Sequence, residues 1–246
     1  MGRPLDCAEL IHQGLSPSRI SEKLGISPSS VIQYLYVAIG KELVYLSDIV
    51  LTIPFNRRSA IEKILAEKMT DNILVVYEEL KNLINTDISQ EEVKFYLRHR
   101  GNIIGDLYFF LSDLERTLHS LVKTVLRRHF QETADSWWEK GVSERIKVNC
   151  VGFAKNKVLN AEEYYNYTTF NEIRVIINDN WSIFKDHLPE PYASNMQFTM
   201  TNIANANAIR NDVMHPVRGH YPSDEEFKMV KKIRHDLSGS NWILIR

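Results

Sequence analysis

Residues 103 to 130 read IIGDLYFFLSDLERTLHSLVKTVLRRHF. Apolar side chains recur in this stretch at the three- and four-residue spacing of a single helix face. The residues that follow this spacing are Leu107, Phe110, Leu111, Leu114, Leu118, Leu121, Val122 and Val125. A helix of about five turns with one apolar face must bury that face against other helices, so the stretch predicts one long helix of a helical bundle.

Three further helices are predicted in the same half of the chain. They run from Thr168 or Thr169 to Phe184, over residues 202 to 213, and from the capping box Ser223-Asp224-Glu225-Glu226 to about Leu237. With the long helix they supply the four helices of a bundle. Residues 102 to 246 are therefore predicted as one all-α bundle domain.

The helix over residues 202 to 213 leads into the stretch RNDVMHP, residues 210 to 216. Pro216 disfavours helix in the residue before it, so His215 is predicted at a helix C-terminus. Unpaired carbonyl oxygens there favour the imidazolium, so the ring can accept and donate a proton near neutral pH. A fixed guanidinium on Arg210 beside such an imidazole suits phosphodiester cleavage by an attacking 2′-hydroxyl. A helix-capping histidine is the structural alternative.

The pattern R-N-x-x-x-H after a helical run resembles the signature of the HEPN superfamily, which is R-x-x-x-x-H at the end of a bundle helix. Upstream segments resemble the Swt-type HEPN subgroup in the same order. They are WWEKGV at 137 to 142, YTTFNEI at 167 to 173 and NWSIF at 180 to 184. The resemblance covers roughly the C-terminal half of the chain.

This resemblance implies a metal-independent endoribonuclease without a cofactor. In it His215 is the general acid or base, Arg210 stabilises the phosphate and the transition state, and Asn211 orients the phosphate or the histidine. Products would carry a 2′,3′-cyclic phosphate and a 5′-hydroxyl. HEPN domains usually form homodimers in which two motifs face one cleft. Bacterial members often act in toxin–antitoxin or antiphage defence systems, so an antitoxin or defence partner is also implied.

Glu115 lies on the apolar face of the long helix, where an unpaired carboxylate would be costly. We expect Glu115 or its neighbour Arg116 to reach towards Arg210 or Asn211, as a polar residue on an early bundle helix does in related HEPN proteins. A glutamate that reaches water from the edge of the helix is the alternative.

The region after the long helix carries two further features. Trp137 and Trp138 are interpreted as a packing corner rather than a base-stacking platform, because paired tryptophans bury a large area. Lys147, Lys155 and Lys157 are predicted as a local basic strip for the RNA backbone. Lysines in a loop can also serve solubility alone. Past the motif, Arg218 and His220 could contact substrate, although loop residues there are more often solvated.

Residues 1 to 58 are predicted to contain a pair of short helices that Ser-Pro dipeptides open. Ser16-Pro17 and Ser27-Pro28 each give an N-cap and a proline at the first helical position, and Gly25 and Gly40 end the two helices. The pair resembles the LuxR-like and winged helix-turn-helix family. The resemblance implies DNA binding through residues 16 to 40 and a small wing over 41 to 45. The recognition helix would expose Ser29, Ser30, Gln33 and Tyr34.

Charge gives this DNA-binding prediction little support. The first 55 residues hold four Lys or Arg against five Asp or Glu, whereas DNA binding generally relies on excess cations at phosphates. A helix-turn-helix that docks protein or forms a dimer would have the same sequence pattern. The alternative function is therefore a DNA-binding transcriptional regulator, or a defence-complex scaffold, whose HEPN bundle serves dimerisation or ligand sensing.

Residues 59 to 101 are predicted as a helical connector without a catalytic pattern. The first part forms one helix, or two that break near Thr70-Asp71, and the capping box Ser89-Gln90-Glu91-Glu92 opens a helix to about Arg100. The whole chain is thus expected to be all-α: a helix-turn-helix domain, this connector and a HEPN-type four-helix bundle.

Composition sets the wider expectations. The chain has 246 residues, a formal net charge of −1 and only two cysteines, Cys7 and Cys150. This near-neutral charge means that any nucleic-acid site must be local. Two cysteines are too few for a disulfide framework, and no stretch approaches the ~20 apolar residues of a membrane span. We therefore expect a soluble, cytoplasmic protein with no membrane contact.

Overall fold

The computed structural model describes residues 2–83, 88–155, 157–215 and 223–238. All regular secondary structure within these ranges is helical, which confirms the all-α class. The chain divides into two compact units, Met1–Asp106 and Leu107–Arg246.

The first unit is built from short helices. They are α1 (Arg3–His12), α2 (Pro17–Leu24), α3 (Pro28–Gly40), α4 (Leu46–Thr52), α5 (Phe55–Lys68), α6 (Ile73–Leu83) and α7 (Gln90–His99). Both Ser-Pro starts are confirmed: Ser16 and Ser27 are the N-cap residues of α2 and α3. Gly25 ends α2 in the left-handed conformation, with φ 60°, which glycine adopts without a steric penalty.

One hydrophobic core serves this whole unit. It includes Ile20 and Leu35 from the α2–α3 pair, and Ile61, Val76 and Val93 from the helices over residues 59 to 101. Of the two alternatives for this region, the structure has two helices with the break near Thr70-Asp71, because α5 ends at Lys68 and α6 begins at Ile73. The small wing predicted over residues 41 to 45 is wrong, since these residues form a turn that leads into α4.

The second unit contains the long helix and several shorter ones. They are α8 (Asn102–His129), α9 (Ser136–Gly141), α10 (Glu144–Phe153), α11 (Ala161–Tyr165), α12 (Phe170–Asp179), α13 (Trp181–Phe184), α14 (Met196–Met214) and α15 (Asp224–Ser238), with a 3-10 turn at Lys185–His187. The apolar face of α8 is buried as its spacing predicted. Phe110 on α8 meets Phe227 on α15 edge to face, and Arg234 of α15 donates to Asp113 at 2.6 Å. These contacts fix α15 against α8.

The tryptophan pair packs inside the second unit, as predicted. Trp137 is 1% exposed, and its ring meets that of Tyr165 edge to face. The single helix predicted from Thr168 or Thr169 to Phe184 is interrupted at Asn180. The Asn180 amide donates to the carbonyls of Ile176 and Gly141, which ends α12 one residue earlier.

No helix within the described ranges has the length and apolar character that crossing a membrane requires.

Candidate active site

Helix α14 carries the R-N-x-x-x-H motif. It begins at Met196, six residues before the predicted start, because the side chain of Asn195 accepts the N–H of Phe198 and caps it. It ends at Met214, and His215 is the C-cap residue, with φ −125° and ψ 65°. The predicted position of the histidine at a helix C-terminus is therefore confirmed. Pro216, Arg218 and His220 lie outside the described residues.

Arg210 and Glu115 meet between two helices of the second unit. Arg210 Nε on α14 lies 3.6 Å from Glu115 Oε2 on α8, and the two side chains are 34% and 23% exposed. Arg210 Nη1 also donates to Asn211 Oδ1 at 3.5 Å. Both distances are long for charge-assisted hydrogen bonds, so the guanidinium is held loosely and keeps donors for an anion. The contact expected between Glu115 and Arg210 is present, whereas Arg116 pairs with Asp113 instead.

A small cavity lies beside this ion pair. It has a volume of about 80 Å³, and the described residues that line it are Tyr108, Leu111, Ser112, Glu115, Arg210, Val213 and Met214. Among the described residues that line the cavity, Arg210 is the only cation and Glu115 offsets its charge in part, so the guanidinium can bind an anionic group there.

His215 is exposed at the end of α14 and does not line this cavity, although its neighbour Met214 does. Its backbone N–H donates to the carbonyl of Asp212 at 3.2 Å. Among the described residues, no side chain forms a hydrogen bond with its imidazole. Asn211 lies four residues before it, the spacing at which side chains share a helix face. The ring is therefore open to solvent, at the end of the helix that carries Arg210 five residues earlier.

His119, one turn beyond Glu115 on α8, has a structural environment. Burial lowers the pKa of its imidazole, and its Nε2 lies 3.3 Å from the carbonyl oxygen of Thr168. The hydroxyl of Tyr165 donates to the backbone carbonyl of His119. His119 thus joins α8 to the segment before α12.

The predicted basic strip is only partly available. Lys147 lies on α10 rather than in a loop, is 19% exposed, and donates to the Glu139 carbonyl at 2.7 Å while lying near Glu144. Lys155 and Lys157, in the segment after α10, are exposed. Two of the three lysines therefore remain free to meet a phosphate backbone.

In the first unit, the predicted DNA-contacting residues of α3 differ in exposure. Ser29 and Ser30 place their hydroxyls 3.0 and 2.8 Å from the hydroxyl of Ser27, within the cap of the helix. Tyr34 packs against the core with part of its side chain and is exposed only in part. Gln33 is exposed and is the best placed of the four to contact another molecule.

Tyr108, Ser112 and Met214 also line the cavity, although none of them was predicted from the sequence to belong to the site. Tyr108 and Ser112 lie seven and three residues before Glu115, which places them on the same face of α8. That spacing could have identified them once Glu115 had been singled out.

Within the described parts of the chain, no group of three or more His, Cys, Asp or Glu side chains could hold a metal ion. No family model, curated protein or solved structure matches this chain.

Proposed function

We propose that the chain is a metal-independent endoribonuclease of the HEPN type, with α8, α12, α14 and α15 as its four bundle helices. The observation that carries this proposal is the cavity in which Arg210 meets Glu115, with the exposed His215 one residue past its wall. A guanidinium with open donors and an accessible imidazole are the two groups that cleavage by a 2′-hydroxyl requires.

Each group has one role in the proposed reaction. His215 takes the proton from the attacking 2′-hydroxyl, or returns one to the departing 5′-oxygen. Arg210 donates to the phosphate oxygens as negative charge builds on them. Glu115 and Asn211 hold the guanidinium between them, and Lys155 and Lys157 attract the RNA backbone. The products are a 2′,3′-cyclic phosphate and a 5′-hydroxyl.

The proposed assembly and setting follow from the HEPN resemblance. The active form would be a homodimer in which two R-N-x-x-x-H motifs face one cleft. The enzyme would act as a toxin or antiphage effector in the cytoplasm, held in check by an antitoxin or another defence partner.

Purified protein and single-stranded RNA, incubated with EDTA, test the proposal. We expect the wild type to cut, and Arg210→Ala and His215→Ala to lose about a hundredfold or more in rate without a change in fold. The matched control is His129→Ala, which removes another exposed, helix-ending histidine about 20 Å further along α8 than Glu115. A wild type that cuts no RNA, or a His215→Ala variant as fast as the control, would contradict the proposal.

Helices α2 and α3 support a second candidate, a helix-turn-helix that binds DNA. Both helices start at a Ser-Pro cap, the left-handed Gly25 makes a short turn between them, and Gln33 is exposed on α3. Selection of binding sites from random duplex DNA tests this candidate. Binding that Gln33→Ala abolishes, and that Gln13→Ala at the exposed end of α1 leaves unchanged, would support it; no enrichment of any sequence would contradict it.

A further inference from the structure

Tyr108 and Met214 are two exposed side chains of the cavity to which the proposed chemistry gives no role. Tyr108 belongs to α8 and Met214 to α14, and they are 48% and 41% exposed. Large apolar side chains at the rim of a polar cavity that already holds a cation are well placed to contact a ligand.

The volume of the cavity separates what fits inside from what stays outside. The cavity has a volume of about 80 Å³. Pockets for larger ligands begin at about 300 Å³. A phosphate group can therefore approach Arg210 inside the cavity, whereas a nucleobase must rest outside it, beside the exposed ring of Tyr108.

We infer that Tyr108 stacks an unpaired base of the RNA next to the bond that is cut. The inference rests on the proposed function. Every base offers a π-face to an aromatic ring, so stacking of this kind binds single strands with little sequence preference. The unbranched thioether of Met214, on the neighbouring helix, can adjust to bases of different size. In a duplex, the faces of each base are already covered by its neighbours, so the ring has nothing to stack on.

Charge favours a nucleic acid over an apolar protein partner at this surface. The exposed ring borders a cavity that contains Arg210, Glu115 and the hydroxyl of Ser112. A hydrophobic partner that covered the ring would also desolvate this partly exposed ion pair, which is unfavourable. A phosphodiester supplies both an anion for the guanidinium and a base for the ring.

Binding of RNA oligonucleotides that contain 2-aminopurine tests the inference. The protein carries His215→Ala so that no strand is cut. Fluorescence of 2-aminopurine reports stacking on an aromatic ring, and a titration with the single strand is compared with one using its duplex. Tyr108→Ala is compared with Tyr108→Phe, which keeps the ring. The matched control is Phe109→Ala, an exposed aromatic on α8 that does not line the cavity.

We expect the single strand to bind at least about tenfold more tightly than the duplex. Stacking on Tyr108 should quench the fluorescence of 2-aminopurine. Tyr108→Ala should weaken binding of the single strand about five- to one-hundredfold and remove this quenching. Tyr108→Phe and Phe109→Ala should bind like the parent. The inference would be overturned if Tyr108→Ala bound the single strand as tightly as the parent protein, or if the parent protein bound the duplex as tightly as the single strand. So would a fall in oligomer mass on Tyr108→Ala, which would assign the ring to a contact between copies. The titration measures binding and requires no cleavage. A wild type that cuts no RNA would therefore contradict the proposed function without changing the outcome of the binding test.

Discussion

Glu115→Gln separates a stabilising role of the Glu115–Arg210 ion pair from a role in cleavage. The substitution keeps the size of the side chain and removes its charge. At 3.6 Å the direct attraction is about 5 kcal/mol for an effective dielectric constant of about 20. Both side chains are partly exposed, so solvation offsets most of this attraction, and such pairs contribute about 0.2–1 kcal/mol to stability. We therefore expect the melting temperature to fall by no more than about 2–4 °C.

The effect on cleavage should be much larger. Without the charge of the carboxylate, Arg210 is held more weakly from α8, and its other contact among the described residues is the long one to Asn211, so its guanidinium is less well placed for the phosphate. A misplacement of about 1 Å can lower a rate a hundredfold, so we expect kcat to fall about ten- to a hundredfold, with little change in KM. The assays are thermal unfolding by circular dichroism and steady-state cleavage of a fluorescent RNA.

Glu132→Gln is the matched control for this experiment. Glu132 pairs with Lys140 at 2.8 Å, both side chains are exposed, and neither lines the cavity. It should match the wild type in rate and closely in stability. If Glu115→Gln cuts as fast as this control, Glu115 does not position Arg210. If the activity that Glu115→Gln loses equals the fraction of the variant that is unfolded, the role of Glu115 is structural.

Two further predictions concern the stability of each unit. Glu92 is buried, its Oε2 accepts the Ser18 N–H at 2.7 Å, and burial raises the pKa of its carboxyl. The folded state therefore holds this proton more tightly than the unfolded state, so the unfolding free energy should decrease as the pH rises above about 4.5, the ordinary pKa of a glutamate. Glu92→Gln should weaken this dependence, and the more exposed Glu91→Gln should keep it. Urea unfolding over a series of pH values checks this, and an unchanged slope in Glu92→Gln would contradict it. A Cβ at Gly141 would lie 2.9 Å from both Leu126 Cδ atoms, so Gly141→Ala should lower the unfolding free energy by about 1–3 kcal/mol. Urea unfolding followed by tryptophan fluorescence checks this. If the contact with Leu126 is the cause, Gly141→Ala should lower the unfolding free energy by less when Leu126 is also replaced by Ala. An equal loss of unfolding free energy in both backgrounds would exclude the contact as the cause.

Local signals predicted most helices correctly. The Ser-Pro starts of α2 and α3 and the apolar face of α8 are properties of neighbouring residues, so the sequence contains all of the information. The same holds for α7, where Ser89 accepts the N–H of Glu92 as the capping box predicted.

Errors arose where the signal was weak or came from a distant residue. The start of α4 was missed because Tyr45 replaces the expected Ser or Thr of a capping box, although Asp48 accepts its backbone N–H. Helix α10 buries only Ile146 and Cys150, too few positions to reveal a period. At the break after α12, the Asn180 side chain donates to the carbonyl of Gly141, which is 39 residues away.

The candidate site was also predictable only where the signal lies in neighbouring residues. The position of Glu115 on an apolar face was enough to predict that it needs a partner, and Arg210 is within 3.6 Å. The cavity, and with it Tyr108 and Met214, depends on how α8 and α14 lie side by side. No local pattern carries that arrangement.

Analysis of the new ends tests the central claim most directly. An RNA cut by the wild type in EDTA is examined by mass spectrometry beside an RNA in which 2′-O-methyl groups block every 2′-hydroxyl. Attack by the 2′-hydroxyl predicts a 2′,3′-cyclic phosphate on one fragment, a 5′-hydroxyl on the other, and no cutting of the methylated strand. A 3′-hydroxyl with a 5′-phosphate, or equal cutting of the methylated strand, would contradict the roles given to Arg210 and His215.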